Sequence, residues 1–429
     1  MSTLTPDTAV PAAPTPGLSR TATRSYKAPI AFAVFTVIAI VLFVVNPRDG
    51  SSTFRLATAT DFFALPDAVL PSAATGVALT VVLAVVTVLA FLLAQRAQRV
   101  PIWVVAVFGV VFLVAFLTWT SAGATIPVPG LLLGALALST PLIFGALGGV
   151  ISERVGVVNV AIEGQLLAGA FVSAVVASAT GSAYVGLASA MVAGVLVSMV
   201  LAVFSIRYIV DQVIVGVVLN VLVTGLTSFL YSQVLTKSDA LNQGIRFPQL
   251  PIPGLSQIPI VGPVFFRQTI IVYLMYIAIA VVFYGLFRTR WGLRLRAVGE
   301  HPQAADTVGI KVNATRFWNV SLAGAIAGLG GAYFTLGSLG NFQKEMTAGA
   351  GFIALAAVIF GRWDPIRATL AALLFGFASN LQNVLGAIGS PVPSEFMLML
   401  PYVVTIFAVA GLVGQSRGPA ASGKPYVKS

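Results

Sequence analysis

The sequence predicts an all-α fold, a polytopic integral membrane bundle of about 10–12 transmembrane segments with one short cytoplasmic helix. Three observations predict it: an extreme apolar composition, apolar runs that recur at bilayer-spanning length, and basic residues gathered on alternate loops. Of 429 residues, 58% are hydrophobic and 9% charged, against about 25% charged in ordinary soluble domains. A water-soluble globule of this size cannot cover so much apolar surface, so lipid is the solvent. The chain has no cysteine and one histidine, His301. Disulfide frameworks, thiolate zinc sites and Ser-His-Asp chemistry are removed together. The net charge of +11 would suit nucleic acid in a soluble protein. In a bilayer it fits basic loops held on the cytoplasmic side, and no nucleic-acid partner is expected.

Residues 1–27 are rich in Pro, Thr, Ala and Ser and carry Arg20, Arg24 and Lys27. They lack the periodicity of a core and read as a disordered cytoplasmic tail. The long charged leader argues against a cleaved signal peptide. Apolar runs at 29–46, 74–94 and 101–119 form an N-terminal membrane elaboration over 28–128. A second membrane domain covers 129–414, with runs at 129–150, 160–180, 184–204, 212–232, 269–287, 318–337, 349–361, 368–387 and 397–414. The run at 349–361 is shorter than the ~20 residues a span needs, so it reads as a half-helix covered by protein. Residues 415–429 form a cytoplasmic tail.

Placing the N-terminus inside puts Arg96, Arg99, Arg154, Arg207, Arg288, Arg290, Arg294, Arg296, Lys311, Arg316, Arg362 and Arg367 on cytoplasmic loops. Both tails are basic as well. Of the 24 Lys and Arg, only Arg48, Arg55, Lys237, Arg246, Arg267 and Lys344 fall on the other side. Both termini are therefore expected in the cytoplasm, in a multi-pass protein of the cell membrane. The outer loop 233–268, with five prolines between Pro248 and Pro263, reads as extended and packed on the outer mouth. Gly324, Gly328, Gly330 and Gly331 at near-helical spacing favour close helix packing.

The inner loop 288–317 is the longest and most basic cytoplasmic one. Pro302 suits the first position of a helix, and Gly309 the left-handed position just past the end of one. Between them lies a helix of about two turns, too short to span anything. It is either a solvated basic loop or a surface helix that inserts into a partner. The stretch Arg296-Ala297-Val298-Gly299-Glu300-His301-Pro302-Gln303-Ala304-Ala305, followed by Gly309-Ile310, resembles the coupling segment of ATP-binding-cassette importer permeases for simple sugars, nucleosides and branched-chain amino acids. His301 stands where that family has Asn, a stronger cap. Two further stretches resemble the same family: Leu147–Gln165, with Asn159, Glu163 and Gln165, and Gly340–Pro365, which is similar to the nucleoside (guanosine-type) branch.

The resemblance implies a permease subunit whose Arg296, Ala297, Val298, Gly299, Glu300, His301, Pro302, Ala304, Ala305 and Gly309 couple to a separate ATPase. It also implies a second permease chain, related or identical, and an extracytoplasmic solute-binding lipoprotein. No phosphate loop of the form G-x-x-x-x-G-K-[ST] exists in the chain. The chain is accordingly expected to be no enzyme and to bind no cofactor, with ATP used by the partner subunit.

The candidate substrate pathway comes from polar residues within apolar runs, which are expensive in lipid. Glu163 lies four residues after Asn159, a spacing that puts both on one face of a helix, beside Gln165. Glu163 either faces a cavity or braces a helix break, with Arg154 as a local partner. Asn220 and Asn380, mid-span, either meet solute or bond a neighbouring helix. Asp211 reads as a helix N-cap. Phe342 reads as an interfacial aromatic at the outer mouth or a platform for a base. An ion-coupled secondary transporter is the competing class, with Glu163 and Asp211 nearly its only ionisable candidates. A membrane-embedded enzyme finds no nucleophile–base pair. The favoured cargo is a nucleoside, with a simple sugar second.

Overall fold

The computed structural model describes residues 26–98, 100–389, 392–393, 395–396, 399 and 418–427. All of the expected span at 397–414 but Met399, almost all of the tail at 1–27, and Arg99 lie outside the described residues. Two compact units share the chain, one using the residues up to Pro47 with Ala73–Phe116, the other Arg48–Ser72 and the residues from Leu117 on.

The first unit is built on α1 (Lys27–Ala39), prolonged by a π-helical turn over Ile40–Val45, with α2 (Ser72–Gln95) and α3 (Ile102–Thr120). These helices are apolar all round, so aromatic contacts and one polar pair fix their register. Phe32 stacks on Phe108 with ring centroids 4.2 Å apart, and Phe35 meets Phe112 edge-on at 5.2 Å. The buried hydroxyls of Thr36 and Thr87 share a 2.8 Å hydrogen bond, which satisfies two groups that lipid could not.

In the second unit, β1 (Ser51–Arg55) and β2 (Ala68–Pro71) pair antiparallel, and β1 runs parallel to β3 (Thr125–Pro127). Then follow α4 (Val128–Arg154), α5 (Ile162–Thr180), α6 (Ala183–Ala202, with a π turn to Arg207) and α7 (Gln212–Gln233). The pair β4 (Leu250–Pro251) and β5 (Arg267–Gln268) flanks the short α8 (Val261–Phe265). The chain continues through α9 (Ile270–Arg288), α10 (Arg290–Glu300), α11 (Pro302–Thr307), α12 (Val312–Ala332, with a π turn to Leu339), α13 (Ala350–Phe360) and α14 (Pro365–Ala387). Among the described residues, ten helices are long and apolar enough to cross a membrane. The protein is a polytopic helical membrane protein.

The core of this unit is α12 packed on α4, α5 and α6, with α13 and α14 against α4. Its α6–α12 contact is backbone on backbone: a Cβ on Gly194 would lie 2.0 Å from the carbonyl oxygen of Gly324. Small residues at that seam allow close approach, which is how helices associate where lipid removes the hydrophobic drive.

Three expectations change. The loop 288–317 holds two helices and the first turn of a third, because Thr289 caps α10 by accepting from the Gly292 N–H at 3.2 Å. The span starting at α12 begins at Val312, six residues before the apolar run: Arg316 and Asn319 are buried by protein rather than exposed to lipid. The outer loop is not simply extended. It folds as short turns and a strand pair, tied to residues 58–62 by Arg267 Nη1 donating to Thr60 Oγ1 at 2.9 Å and Phe62 N donating to Gln257 O at 2.8 Å.

Candidate pathway and coupling site

After α4 the chain breaks. Gly156 adopts φ +93°, a left-handed conformation that glycine tolerates best, and Ser152 Oγ donates to Val157 O at 2.8 Å. Residues 157–159 are not helical, and α5 starts at Ile162. Asn159 therefore precedes the helix, and the expected shared face with Glu163 does not exist. The Gly156 turn ends α4, and the link that follows stays non-helical through Asn159 until α5 begins at Ile162, so only Glu163 lies on the helix.

Asn159 instead pairs amide to amide with Gln165: Asn159 Nδ2 donates to Gln165 Oε1, and Gln165 Nε2 to Asn159 Oδ1, both at 3.1 Å. Gln165 Nε2 also donates to Ser198 Oγ on α6 at 2.9 Å. Asn220 on α7 accepts from Gly164 N at 2.8 Å and donates to Val160 O at 2.9 Å, satisfying free backbone groups at the start of α5.

Glu163 reaches α13, not Arg154. Its carboxylate accepts from Thr347 Oγ1 at 2.6 Å, Gly349 N at 2.9 Å and Gly351 N at 2.6 Å. At ~1.5 Å per residue, the 11-residue α13 is about half the ~30 Å hydrocarbon thickness. The carboxylate thus sits on the positive end of a half-helix dipole. A Cβ on Gly351 would lie 2.3 Å from Glu163 N, so only glycine admits this approach. Thr347, Gly349 and Gly351 lie within the stretch Gly340–Pro365, whose sequence alone assigns them no role. The readable signal was a run of small residues ahead of an apolar helix too short to span.

These four residues gather around the start of α5. Asn380 is not with them: on α14 it donates to Leu131 O at 2.7 Å, beside the opposite end of α4. Asp211 caps α7, accepting from Val213 N at 2.9 Å and Ile214 N at 3.1 Å. Phe342 is fully buried rather than interfacial, edge-on to Phe171 at 5.1 Å. Aromatic packing in the protein interior took the place of a membrane-facing position.

The coupling segment has two sides. Glu300, His301, Ala304 and Gly309 are exposed, whereas Val298, Gly299 and Ala305 are buried. The His301 side chain makes no cap bond, and Pro302 fills the first helical position. Gly309, at φ +83°, ends α11: Gly309 N donates to Asp306 O at 2.9 Å and Ile310 N to Ala305 O at 3.0 Å, the paired bonds of a Schellman cap. Arg296 lies over the Phe287 ring at 5.3 Å.

The segment also touches the pathway break. A Cβ on Gly299 would lie 2.0 Å from Arg154 O, so the end of α10 presses on the end of α4. Arg154 Nε donates to Trp363 O at 2.8 Å, and Trp363 Nε1 donates to the Glu153 carboxylate. Residues 418–427 lie across the same junction: Ala421 N donates to Gly299 O at 2.9 Å, and the buried Arg316 donates from Nη1 to Lys424 O at 3.0 Å. Tyr426 hydrogen-bonds Asp306, and desolvation followed by that contact raises its phenol pKa.

Residues 131–409 match the family described as the permease component of the branched-chain amino acid transport system. The chain belongs to this permease family. The permease is 42% identical over 304 residues to the nucleoside ABC transporter permease protein NupC of Lactococcus lactis subsp. cremoris, covering 68% of this chain and 95% of that protein. It is 41% identical over 303 residues to the guanosine ABC transporter permease protein NupQ of Bacillus subtilis, with the same two coverages. No solved structure matches it. The permease is a membrane-embedded transport component of an ATP-binding-cassette system.

Proposed function

We propose that the permease forms the membrane pathway of an ATP-driven importer whose cargo is a nucleoside. The observation that carries the cargo is the 42% identity to NupC over 95% of that protein. A solute-binding lipoprotein delivers the nucleoside at the outer mouth. This chain pairs with a second permease chain, related or identical. A separate ATPase hydrolyses ATP and docks on the exposed side of α11, around Glu300, His301, Pro302, Ala304 and Gly309. Both termini are cytoplasmic, in keeping with the basic inner loops. Arg296, Ala297, Val298 and Gly299 pass the movement inward, supported by the contact of Gly299 with Arg154 at the end of α4.

Asn159, Glu163, Gln165 and Asn220 act on the pathway through the helices they hold, and Asn380 does so at the far end of α4. Their polar groups bond other protein groups, so movement of α4 against α5 and α13 would have to exchange those bonds. Ion coupling is disfavoured by the same geometry, since Glu163 is engaged by three donors and Asp211 by two. The test is uptake of labelled guanosine, adenosine, cytidine and glucose in cells carrying the complete transporter, with and without its ATPase. Nucleoside uptake that needs the ATPase is expected. Uptake of glucose alone would overturn the cargo, and uptake that survives loss of the ATPase would overturn the mechanism.

A further inference from the structure

Residues 418–427 lie beyond the stretch 131–409 that matches the permease family, yet they are built into the coupling junction. They form a compact turn, with Ser422 N donating to Pro419 O at 3.0 Å and Gly423 at φ +76°, a conformation that favours glycine. Ala420 N donates to the Glu300 carboxylate at 3.2 Å and Ala421 N to Gly299 O at 2.9 Å, so two consecutive amides hold the end of α10. Tyr426 adds its hydrogen bond to Asp306 on α11. From the same segment, Lys424 O accepts from Arg316 Nη1 on α12 at 3.0 Å. A Cβ on Gly156 would lie 2.9 Å from Arg316 Nη2 and 3.3 Å from Ala421 O, so the turn after α4 packs against both. One short segment thereby joins α10 and α11 to the start of α12.

The hold on α12 is stiff. Arg316 is 2% exposed, and its Nε and Nη2 find no acceptor among the described residues. Drawing Lys424 away would take from a buried guanidinium the acceptor it has, which costs more than losing an ordinary hydrogen bond. The hold on α10 is made on its buried side, since Gly299 is buried while His301, Ala304 and Gly309 stay exposed. The segment therefore backs the face offered to an ATPase and does not cover it. Because α12 packs on α4, α5 and α6, a pull near its start is passed to the centre of the bundle.

We infer that residues 418–427 are a strap that carries movement of α10 and α11 to α12, a second route beside the Gly299–Arg154 contact that carries it to α4. The inference rests on the proposal that α11 meets the ATPase, and its test separates the two. Cutting the strap leaves docking and hydrolysis in place and uncouples them from transport. Arg316 is a positioning residue in this scheme: it touches neither the cargo nor the ATPase and acts through the strap.

The complete transporter, reconstituted in vesicles, is assayed for ATP hydrolysed and labelled guanosine taken up, comparing the parent with a chain lacking 418–429 and with Arg316→Met. In both variants hydrolysis is expected to stay within twofold of the parent and uptake to fall at least fivefold. The two changes cut one link, so combining them should lower uptake no further than either alone. Hydrogen exchange on the same complexes, without ATP, reads the link apart from transport: Arg316→Met should speed exchange severalfold in the amides of α10 and α11, which the strap alone connects to that change in this scheme. Unaltered exchange there, an unaltered ratio of guanosine to ATP, hydrolysis and uptake that fall together, or uptake that rises once the strap is removed would each overturn the inference. A parent whose uptake needs no ATP would instead overturn the transport proposal, and the exchange measurement would still decide whether the strap joins α12 to α10.

Discussion

Glu163 takes one hydroxyl and two backbone N–H groups at the start of α13. Glu163→Ala would strand buried donors at about 1–3 kcal/mol each. The purified variant should therefore unfold at a lower temperature than the parent, with Glu163→Gln falling between them because one oxygen remains. A Glu163→Gln variant with unchanged unfolding and abolished uptake would mean that the carboxylate serves the solute and not the helix. Gly351→Ala should be the more severe change, since its Cβ would meet the backbone nitrogen of Glu163 at 2.3 Å and backbone cannot yield as a side chain can. Loss of monodisperse protein in detergent is the expected readout. The importance of Glu163 was readable from its position within an apolar run. Its partner was not, because the bond to Thr347 joins residues 184 apart in sequence, and local spacing carries no information at that range.

Elements were legible in proportion to how strongly one rule fixes them. Bilayer thickness fixes span length at about 20 residues, so an apolar run marks each of the ten spans, with the largest offset at the start of α12, where protein buries Arg316 and Asn319. The half-helix α13 was legible for the same reason, by falling short of it. Strands of two to five residues such as β4 and β1 are too brief to display a period of two, and α10 was hidden because its arginines look like a loop. For α11, Pro302 and Gly309 marked both ends correctly, yet the sequence could not say which side faces out. The structure separates the adjacent alanines: Ala304 is exposed and Ala305 is 3% exposed. Ala304→Trp should leave unfolding unchanged and reduce ATP-driven uptake at least tenfold by blocking the docking face. Ala305→Trp should instead destabilise the permease by about 1–3 kcal/mol through overpacking. Equal uptake in Ala304→Trp and the parent would remove α11 from the ATPase contact.

At the scale of the whole molecule, orientation rests on charge, because a helical bundle of this kind has no other built-in direction. Basic residues within about 15–20 residues of span ends set the topology, and here they crowd the loops around α10–α12 while Lys237 stands on the opposite side with few neighbours. The burial of Arg316 does not weaken the argument, since its Nη1 is engaged by Lys424 of the C-terminal segment at the same end of the protein. The chain contains no cysteine, so single-cysteine variants report position without a background to remove. Lys237, at the end of the span over Gln212–Lys237, is exposed, and Val308, just after α11, is 74% exposed. Lys237→Cys should react with a membrane-impermeant maleimide on intact cells, and Val308→Cys only after the membrane is opened. The reverse pattern would invert the permease, place α11 outside the cell and leave no route by which a cytoplasmic ATPase could reach it. The two residues must label from opposite sides in any case, because an odd number of spans lies between them: α9 is the one span separating the outer loop that holds Lys237 from the segment that holds Val308.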